Sequence, residues 1–358
     1  MAADKREPIN LFVPGRVCLF GEHTDWASQY GRHSGYCLVI GTDQGLWATV
    51  RANEELIVQT ALPGASGEGP ARRRTMSCPW NAESLLEAAQ DREEFFRHCA
   101  GVASQMMQQP GVTGGIELRI ERMDLPLKKG VSSSAAVCVL VASAFDRVYE
   151  LGLFPHELMD LAYLGERLTG SQCGRMDQAC IFGKTPVLLT FQGQSDVRIE
   201  PIFPREGISL FFVDLAGEKD TVKILADLQG AYLKSKPLRE ALGADNEQVV
   251  RQAYRAITLG DAERVGRLMT QAQEVFDAKV APHCPEQLAS PRLHQLLRLP
   301  AIQPFIYGGK GVGSQGDGTA QFVARSPDAR DQAMGIIREQ FPEMRCFPLT
   351  ILPAGTGG

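Results

Sequence analysis

The amino-acid sequence predicts a mixed α/β protein built from two domains. Its 358 residues are enough for two domains of ordinary size. Segments that alternate apolar and polar residues, as strands do, are interspersed with segments of helical period. A polar connection lies between the strand-like segments 186–191 and 209–214, and we place the domain boundary there. The predicted domains are residues 1–195 and 196–358.

Composition and charge exclude several classes of protein. The chain is 44% hydrophobic and 22% charged, which is typical of a soluble globular protein. A net charge of -5 and a pI near 5.8 argue against nucleic acid as a partner. Nine scattered cysteines without a CxxC pair indicate a reducing compartment. The start, MAADKREPIN, has no apolar signal core, so we expect a cytoplasmic protein that does not contact a membrane.

Local patterns predict the individual elements. A Pro-Gly pair at residues 14 and 15 divides the apolar segment 10–20 into two predicted strands with a tight turn between them. Residues 36–62 alternate like an antiparallel meander, and residues 115–122, GIELRIER, alternate cleanly. Helices are expected at residues 82–108, 156–168, 253–279, 293–299 and 334–341, and a closing strand at 345–352.

Residues 126–142, PLKKGVSSSAAVCVLVA, combine a glycine and three serines with an unbroken run of small apolar residues. The pattern predicts a loop that leads directly into a buried helix. Such a loop suits a phosphate, because Gly130 permits close backbone approach and the first helical turn has N–H groups without internal partners. The alternative is an ordinary serine-capped helix start. The spacing matches neither a Walker loop nor the dinucleotide fingerprint.

Residues 21–26, GEHTDW, place two carboxylates, an imidazole, a hydroxyl and an indole directly after a predicted strand that contains Arg16. Sugar recognition needs such a mixture, since hydroxyl groups require both acceptors and donors. A solvated turn is the alternative interpretation. A second glycine-rich segment, IYGGKGVGSQGDGTAQFV at residues 306–323, predicts a structured turn between two strands.

Two further carboxylates lie close together in sequence. Glu166 falls in the last turn of the predicted helix 156–168, and Asp177 lies in the glycine-flanked segment CGRMDQ. An aspartate in this setting is often only a helix cap, and that interpretation stays open on the local sequence alone.

The segments VPGRVCLFGEHTDW, PLKKGVSSSAA and YGGKGVGSQGDGTA follow one another in an order that resembles the GHMP kinase superfamily. The resemblance covers nearly the whole chain. The first segment and CGRMDQ are most similar to galactokinases. The resemblance implies a two-domain α/β fold, with a ribosomal-protein S5-like N-terminal domain, a ferredoxin-like C-terminal domain and an active site between them.

The resemblance also implies roles for individual residues. ATP would bind the serine loop, with Mg²⁺ held by Ser134 and Glu166. Asp177 matches the catalytic aspartate, and Arg16 matches the arginine near it. The ATP-binding residues are Gly130, Val131, Ser132, Ser133, Ser134 and Ala135. The substrate-binding residues are Glu22, His23, Asp25, Asp177 and Tyr232, of which Tyr232 has the weakest match.

The implied activity is transfer of the γ-phosphoryl group of ATP to a sugar hydroxyl, the anomeric C1 hydroxyl of galactose or a related monosaccharide. The sequence departs from the galactokinase pattern at three places. Trp26 stands where tyrosine is usual, residues 28–35 form a polar insertion, and the last glycine-rich segment contains Lys310 and Asp317, unlike the plainer loop of the family. The identity of the sugar therefore stays open. The alternatives are a catalytically silent sugar and ATP sensor, or a kinase for a non-sugar alcohol such as mevalonate. A monomer or a homodimer is expected.

Overall fold

The structure is a computed structural model that describes residues 7–62, 72–125, 133–171, 173–193 and 196–355. It confirms the predicted mixed α/β class. The described chain divides into two compact units, each assembled from distant segments. The described residues of the first unit lie within 7–15, 44–125 and 133–183, and those of the second unit lie within 16–43 and 184–355. The predicted division into consecutive domains after residue 195 stays a prediction.

Eleven strands and twelve α-helices are found in the described ranges. The strands are β1 Ile9–Phe20, β2 Gly35–Asn53, β3 Leu56–Leu62, β4 Arg72–Cys78, β5 Gly115–Met123, β6 Val187–Gln192, β7 Asp196–Pro201, β8 Ile208–Asp214, β9 Ile306–Gly311, β10 Thr319–Ala324 and β11 Arg345–Ile351. The helices are α1 Thr24–Ala27, α2 Ala82–Gln90, α3 Arg97–Met106, α4 Ser133–Tyr149, α5 Pro155–Leu168, α6 Thr221–Tyr232, α7 Lys236–Glu240, α8 Asn246–Leu259, α9 Ala262–Lys279, α10 Pro285–Leu288, α11 Pro291–Leu297 and α12 Pro327–Gln340. None of these helices is long and apolar enough to cross a membrane.

The first unit packs helices against strands. Strand β3 pairs antiparallel with β4 and parallel with β5, and β5 pairs antiparallel with the carboxyl-terminal part of β2. Helix α4 is apolar on most of its surface, and its residues from Ala135 to Phe145 are buried except Val137 and Ser143, as expected for a helix at the centre of a core. Helices α3 and α5 approach closely, because a Cβ on Gly165 would lie 2.5 Å from the Val102 Cα. This contact places α3 against the end of α5, near Glu166.

The second unit contains an antiparallel four-stranded sheet in the order β11-β8-β10-β9. Its core includes Phe211 and Phe322, whose rings stack at a centroid distance of 5.0 Å. Helix α9 lies directly on β9, since a Cβ on Gly308 would lie 2.2 Å from the Gly266 carbonyl oxygen. The amino-terminal part of β2 pairs with β6, and β6 pairs with β7.

Four local expectations were wrong. Residues 36–62 do not form an antiparallel meander, because β5 lies between β2 and β3 in the sheet. Strand β1 runs through Pro14 without a turn and pairs with β2, and proline is tolerated in a strand where its missing N–H group is not needed by the sheet. The predicted helix 82–108 is two helices, because the chain is extended at Asp91. The predicted helix 253–279 is also interrupted, since Gly260 adopts φ 76° and the Asp261 side chain accepts a hydrogen bond from the Arg264 amide.

Candidate functional site

Ser134, Glu166 and the segment that begins with Asp177 come together in the first unit. Ser134 lies in the first turn of α4, Glu166 in the last turn of α5, and Asp177 begins a short 3₁₀ helix at Asp177–Phe182. The Ser134 hydroxyl hydrogen-bonds to the Glu166 carboxylate, and the Gln178 amide nitrogen donates to Glu166 Oε2 at 2.8 Å. Glu166 is buried, so its charge depends on these few polar neighbours.

The electrostatic environment of Glu166 is unusual for a carboxyl group. Burial raises the pKa of Glu166 to about 7, and the negative charge of Asp177 acts in the same direction. Hydrogen bonds from Ser134, Gln178 and Cys138 oppose the increase without cancelling it. The carboxylates of the buried Glu166 and the half-buried Asp177 repel each other when both are ionised, and a bound cation would relieve that repulsion.

The donors present fit a magnesium ion that is shared with a phosphate. In the described part of the chain, no group of three or more His, Cys, Asp or Glu residues could hold a metal by itself. Magnesium usually takes one or two carboxylates and completes its shell with water and phosphate oxygens. Ser134 and Glu166 supply oxygen ligands of this kind at the start of a helix.

The serine loop is described only in part. Gly130, Val131 and Ser132 lie outside the described residues. Ser133 and Ser134 are partly exposed at the start of α4, whereas Ala135 is buried in it. The first turn of this 17-residue helix offers unpaired N–H groups and a partial positive charge, which favour an anion.

A cavity of about 90 Å³ lies beside Ser134 in the first unit. Its lining includes Thr60, Phe95, Phe96 and His98. Burial and, to a smaller extent, the charge of Arg97 lower the pKa of His98 to about 4, so the imidazole is neutral near pH 7. The sequence did not predict that these residues line a cavity. An adjacent pair of phenylalanines is typical of a hydrophobic core, and no local pattern in the segment indicates a cavity.

In the second unit, close backbone packing shapes the segment GEHTDW. Gly21 has φ 96°, and a Cβ at this position would lie 2.0 Å from the Tyr36 carbonyl oxygen, so only glycine fits. His23 adopts the left-handed conformation with φ 69°. The Thr24 hydroxyl donates to the Gly21 carbonyl at 2.8 Å. The segment is therefore a tightly folded turn leading into α1, and its polar side chains are buried.

Glu22 forms a buried ion pair with Lys310 of strand β9. The two side chains are only 5% and 1% exposed. The Lys310 ammonium also donates to the Gly311 carbonyl at 2.7 Å. Lys310 therefore pairs with Glu22 of the segment GEHTDW, and the sequence alone did not predict this contact.

His23 and Trp26 belong to an aromatic cluster in the same unit. The Trp26 indole N–H donates to His23 Nδ1 at 3.1 Å, and the His23 ring stacks on Phe276 at a centroid distance of 6.1 Å. Tyr232, at the end of α6, lies fully buried against Trp26 and against Tyr30, with ring centroids 5.6 and 5.0 Å apart. The predicted residues His23 and Tyr232 are therefore linked through Trp26.

A second cavity, of about 50 Å³, lies within this unit next to the ion pair. Glu22, Lys310, Gln315 and Phe276 contribute to its lining, and most of its other walls are apolar. Arg16 is buried in β1, and Asp25 is buried in the first turn of α1. The predicted residues thus form two groups, one in each unit: Ser133, Ser134, Ala135, Glu166 and Asp177 in the first, and Arg16, Glu22, His23, Asp25 and Tyr232 in the second.

Comparisons with known sequences agree with the resemblance in the motifs. Residues 95–184 match the family model described as GHMP kinases N terminal domain. A galactokinase of Chloroflexus aurantiacus is 28% identical over 171 residues, which are 46% of this chain and 38% of that protein. A galactokinase of Pyrococcus furiosus is 24% identical over 357 residues, which are 92% of this chain and 93% of that protein.

Solved structures show the same fold at low sequence identity. Lactococcus lactis galactokinase in complex with galactose matches with a TM-score of 0.71 and 18% identity, over 98% of this chain and 95% of that one. The L. major mevalonate kinase in complex with R-mevalonate matches with a TM-score of 0.70 and 19% identity, over 99% of each chain. The chain thus has the fold of these kinase structures, matches the GHMP kinase N-terminal domain model over residues 95–184, and has galactokinases among its sequence relatives.

Proposed function

We propose that this protein is an ATP-dependent kinase that transfers the γ-phosphoryl group to a hydroxyl of a monosaccharide. The favoured acceptor is the anomeric C1 hydroxyl of galactose or a related sugar. The observation that carries the proposal is the buried Glu166, which hydrogen-bonds to Ser134 at the start of α4 and lies close enough to the half-buried Asp177 to feel its charge. Phosphoryl transfer depends mainly on positioning and on neutralising phosphate charge, and this group of residues suits both tasks.

Ser134 and Glu166 would hold Mg²⁺, which supplies positive charge to the phosphates when it is bound. The serine loop and the first turn of α4 would bind the phosphate oxygens through N–H groups. The cavity lined by Phe95, Phe96 and His98 lies beside Ser134, and its aromatic walls suit the planar base of ATP. A neutral His98 adds a polar group without a net charge.

Asp177 would accept the proton of the sugar hydroxyl, as its match to the catalytic aspartate implies. We assign Arg16 to the same step, as the arginine that favours the ionised carboxylate. The half-buried position of Asp177 at the start of a helical turn supports this role, because the carboxylate is held in place and still accessible.

The segment GEHTDW supports a polyhydroxy acceptor. Glu22 and Asp25 are buried carboxylates that accept hydrogen bonds, and sugar hydroxyls can donate to such groups when water is excluded. Lys310 already takes part of the hydrogen-bonding capacity of Glu22, so the substrate must share this residue with an ammonium group. Tyr232 would complete the acceptor site from α6. A cytoplasmic monomer or homodimer that binds neither nucleic acid nor membrane is part of the proposal.

The decisive experiment measures ADP release by the purified protein with ATP and magnesium across a panel of free monosaccharides. Mevalonate and homoserine serve as controls for non-sugar acceptors. We expect turnover with at least one sugar, and a loss of about 10²-fold or more in kcat for Asp177→Asn. Asp331→Asn, at an exposed position on α12, is the matched control and should leave kcat unchanged.

Three outcomes would overturn parts of the proposal. Near-wild-type kcat in a folded Asp177→Asn variant would remove the role of the aspartate as base. Turnover with mevalonate but with no sugar would identify a non-sugar kinase. ATP binding without turnover across the panel would favour a silent sensor.

A further inference from the structure

The imidazole ring of His23 is fixed by the aromatic rings around it. The indole N–H of Trp26 donates to Nδ1 at 3.1 Å, with the two ring planes inclined by 72°. The His23 ring also stacks on Phe276 with an interplanar angle of 27°. His23 is 4% exposed. The ring therefore has little freedom to flip or to move.

The contact with Trp26 decides which nitrogen of His23 carries the proton. An indole N–H only donates, so Nδ1 must be the accepting nitrogen, and the proton of the neutral ring lies on Nε2. Burial lowers the pKa of His23 to about 4. The backbone of Ser314 opposes this decrease, whereas the charges of Lys219 and Lys310 reinforce it. At pH 7 the ring is neutral, with Nδ1 as acceptor and Nε2 as donor.

The donor at Nε2 has no hydrogen-bond partner of acceptable geometry among the described residues. A hydrogen-bonding contact with the Ser314 backbone raises the pKa of the ring, but its geometry falls short of a well-formed hydrogen bond. A buried donor without a partner is costly, and His23 also holds a left-handed backbone with φ 69°. Both features are typical of a residue held ready for a ligand.

We propose that Trp26 is a positioning residue that holds His23 as the Nε2–H tautomer, so that His23 donates one hydrogen bond to an oxygen of the acceptor substrate. This inference rests on the proposed function, because it places His23 in the acceptor site of a kinase. A hydroxyl or ether oxygen at this point of the substrate satisfies the donor. A deoxy analogue leaves the donor unpaired, and an ammonium group cannot accept, so both are rejected.

Nitrogen NMR tests the tautomer without relying on activity. The protein is labelled with ¹⁵N-histidine, and the His23→Gln variant identifies the signals of His23 among those of the six histidines. We expect a protonated Nε2 and an unprotonated Nδ1 at pH 7 in the wild type. Trp26→Phe should populate both tautomers. Trp80→Phe, which removes an indole N–H in the other unit, should give the wild-type spectrum.

Two spectra would overturn the inference. A wild-type His23 protonated on Nδ1 would show that Trp26 does not set the tautomer. An unchanged ratio of tautomers in Trp26→Phe would show that the rest of the site sets it. The wild-type spectrum alone is informative, so the test survives a variant that fails to fold.

Kinetics separate positioning from a purely structural role. In Trp26→Phe we expect the KM for the acceptor sugar to rise about tenfold, the effect of one poorly placed hydrogen bond, with a much smaller change in kcat. His23→Gln keeps an N–H donor and should retain more activity than His23→Leu, which has none. Equal activity of these two His23 variants would contradict the donor role. If no sugar is phosphorylated at all, the proposed function fails, while the NMR experiment still decides the role of Trp26.

Discussion

The buried ion pair of Lys310 and Glu22 allows a quantitative test of what holds the second unit together. Its side chains are 1% and 5% exposed, and Lys310 also donates to the Gly311 carbonyl. Lys310→Met removes the ammonium group and leaves a buried carboxylate without its counter-charge. Breaking a buried pair in this way costs about 3–5 kcal/mol. The double variant Glu22→Gln/Lys310→Met removes both charges and should recover most of that loss, because replacing a whole pair is often nearly neutral.

Urea unfolding at pH 7, followed by tryptophan fluorescence, measures these differences. The matched control is Lys236→Met, because Lys236 forms a pair with Glu240 in the same unit at 3.6 Å, with side chains 79% and 45% exposed. We expect the control to lose less than about 1 kcal/mol. The reasoning is refuted if Lys310→Met is no more destabilised than the control, or if the double variant is as unstable as the single one.

Two further predictions concern the first unit. The pKa of Glu166 is raised from 4.5 to about 7, so folding is favoured when its carboxyl group is protonated. The stability that this group contributes is complete below pH 4.5. As the pH rises through 7, the protein loses about 3 kcal/mol of that stability. Urea titrations between pH 4.5 and 7.5 without magnesium should show this decline in the wild type and not in Glu166→Gln; parallel profiles would contradict it. Val137→Phe fills the cavity beside Ser134 and should raise the KM for ATP about tenfold or more while changing the KM for the sugar little. An unchanged KM for ATP would show that the adenine base of ATP does not bind in the cavity beside Ser134.

The sequence predicted those features that depend on local pattern. A serine run followed by small apolar residues correctly indicated a buried helix, which begins at Ser133. Clean alternation predicted the strand β5, and helical period placed Glu166 in the last turn of α5. These signals work because helix starts and strand faces are determined by neighbouring residues.

Features that depend on distant contacts could not be predicted. Lys310 and Glu22 are 288 residues apart, and neither local sequence identifies the other as its partner. The left-handed backbone of His23 is imposed by tertiary packing, since an isolated non-glycine residue disfavours positive φ. The cavity beside Phe96 arises from four separate segments of the chain, from Thr60 to Val137.

The discontinuous make-up of the second unit also has a consequence for the order of folding during synthesis. Residues 16–43 leave the ribosome early, yet their partners come late: the amide of Gln321 donates to the carbonyl of Cys18, 303 residues earlier. Closing such long loops is slow, and hydrophobic surface stays exposed until it happens. The residues of GEHTDW are therefore synthesised long before strands β9 and β10, although Glu22 pairs with Lys310 of β9 in the folded protein. The segment reaches its folded geometry only when nearly all of the protein has been made.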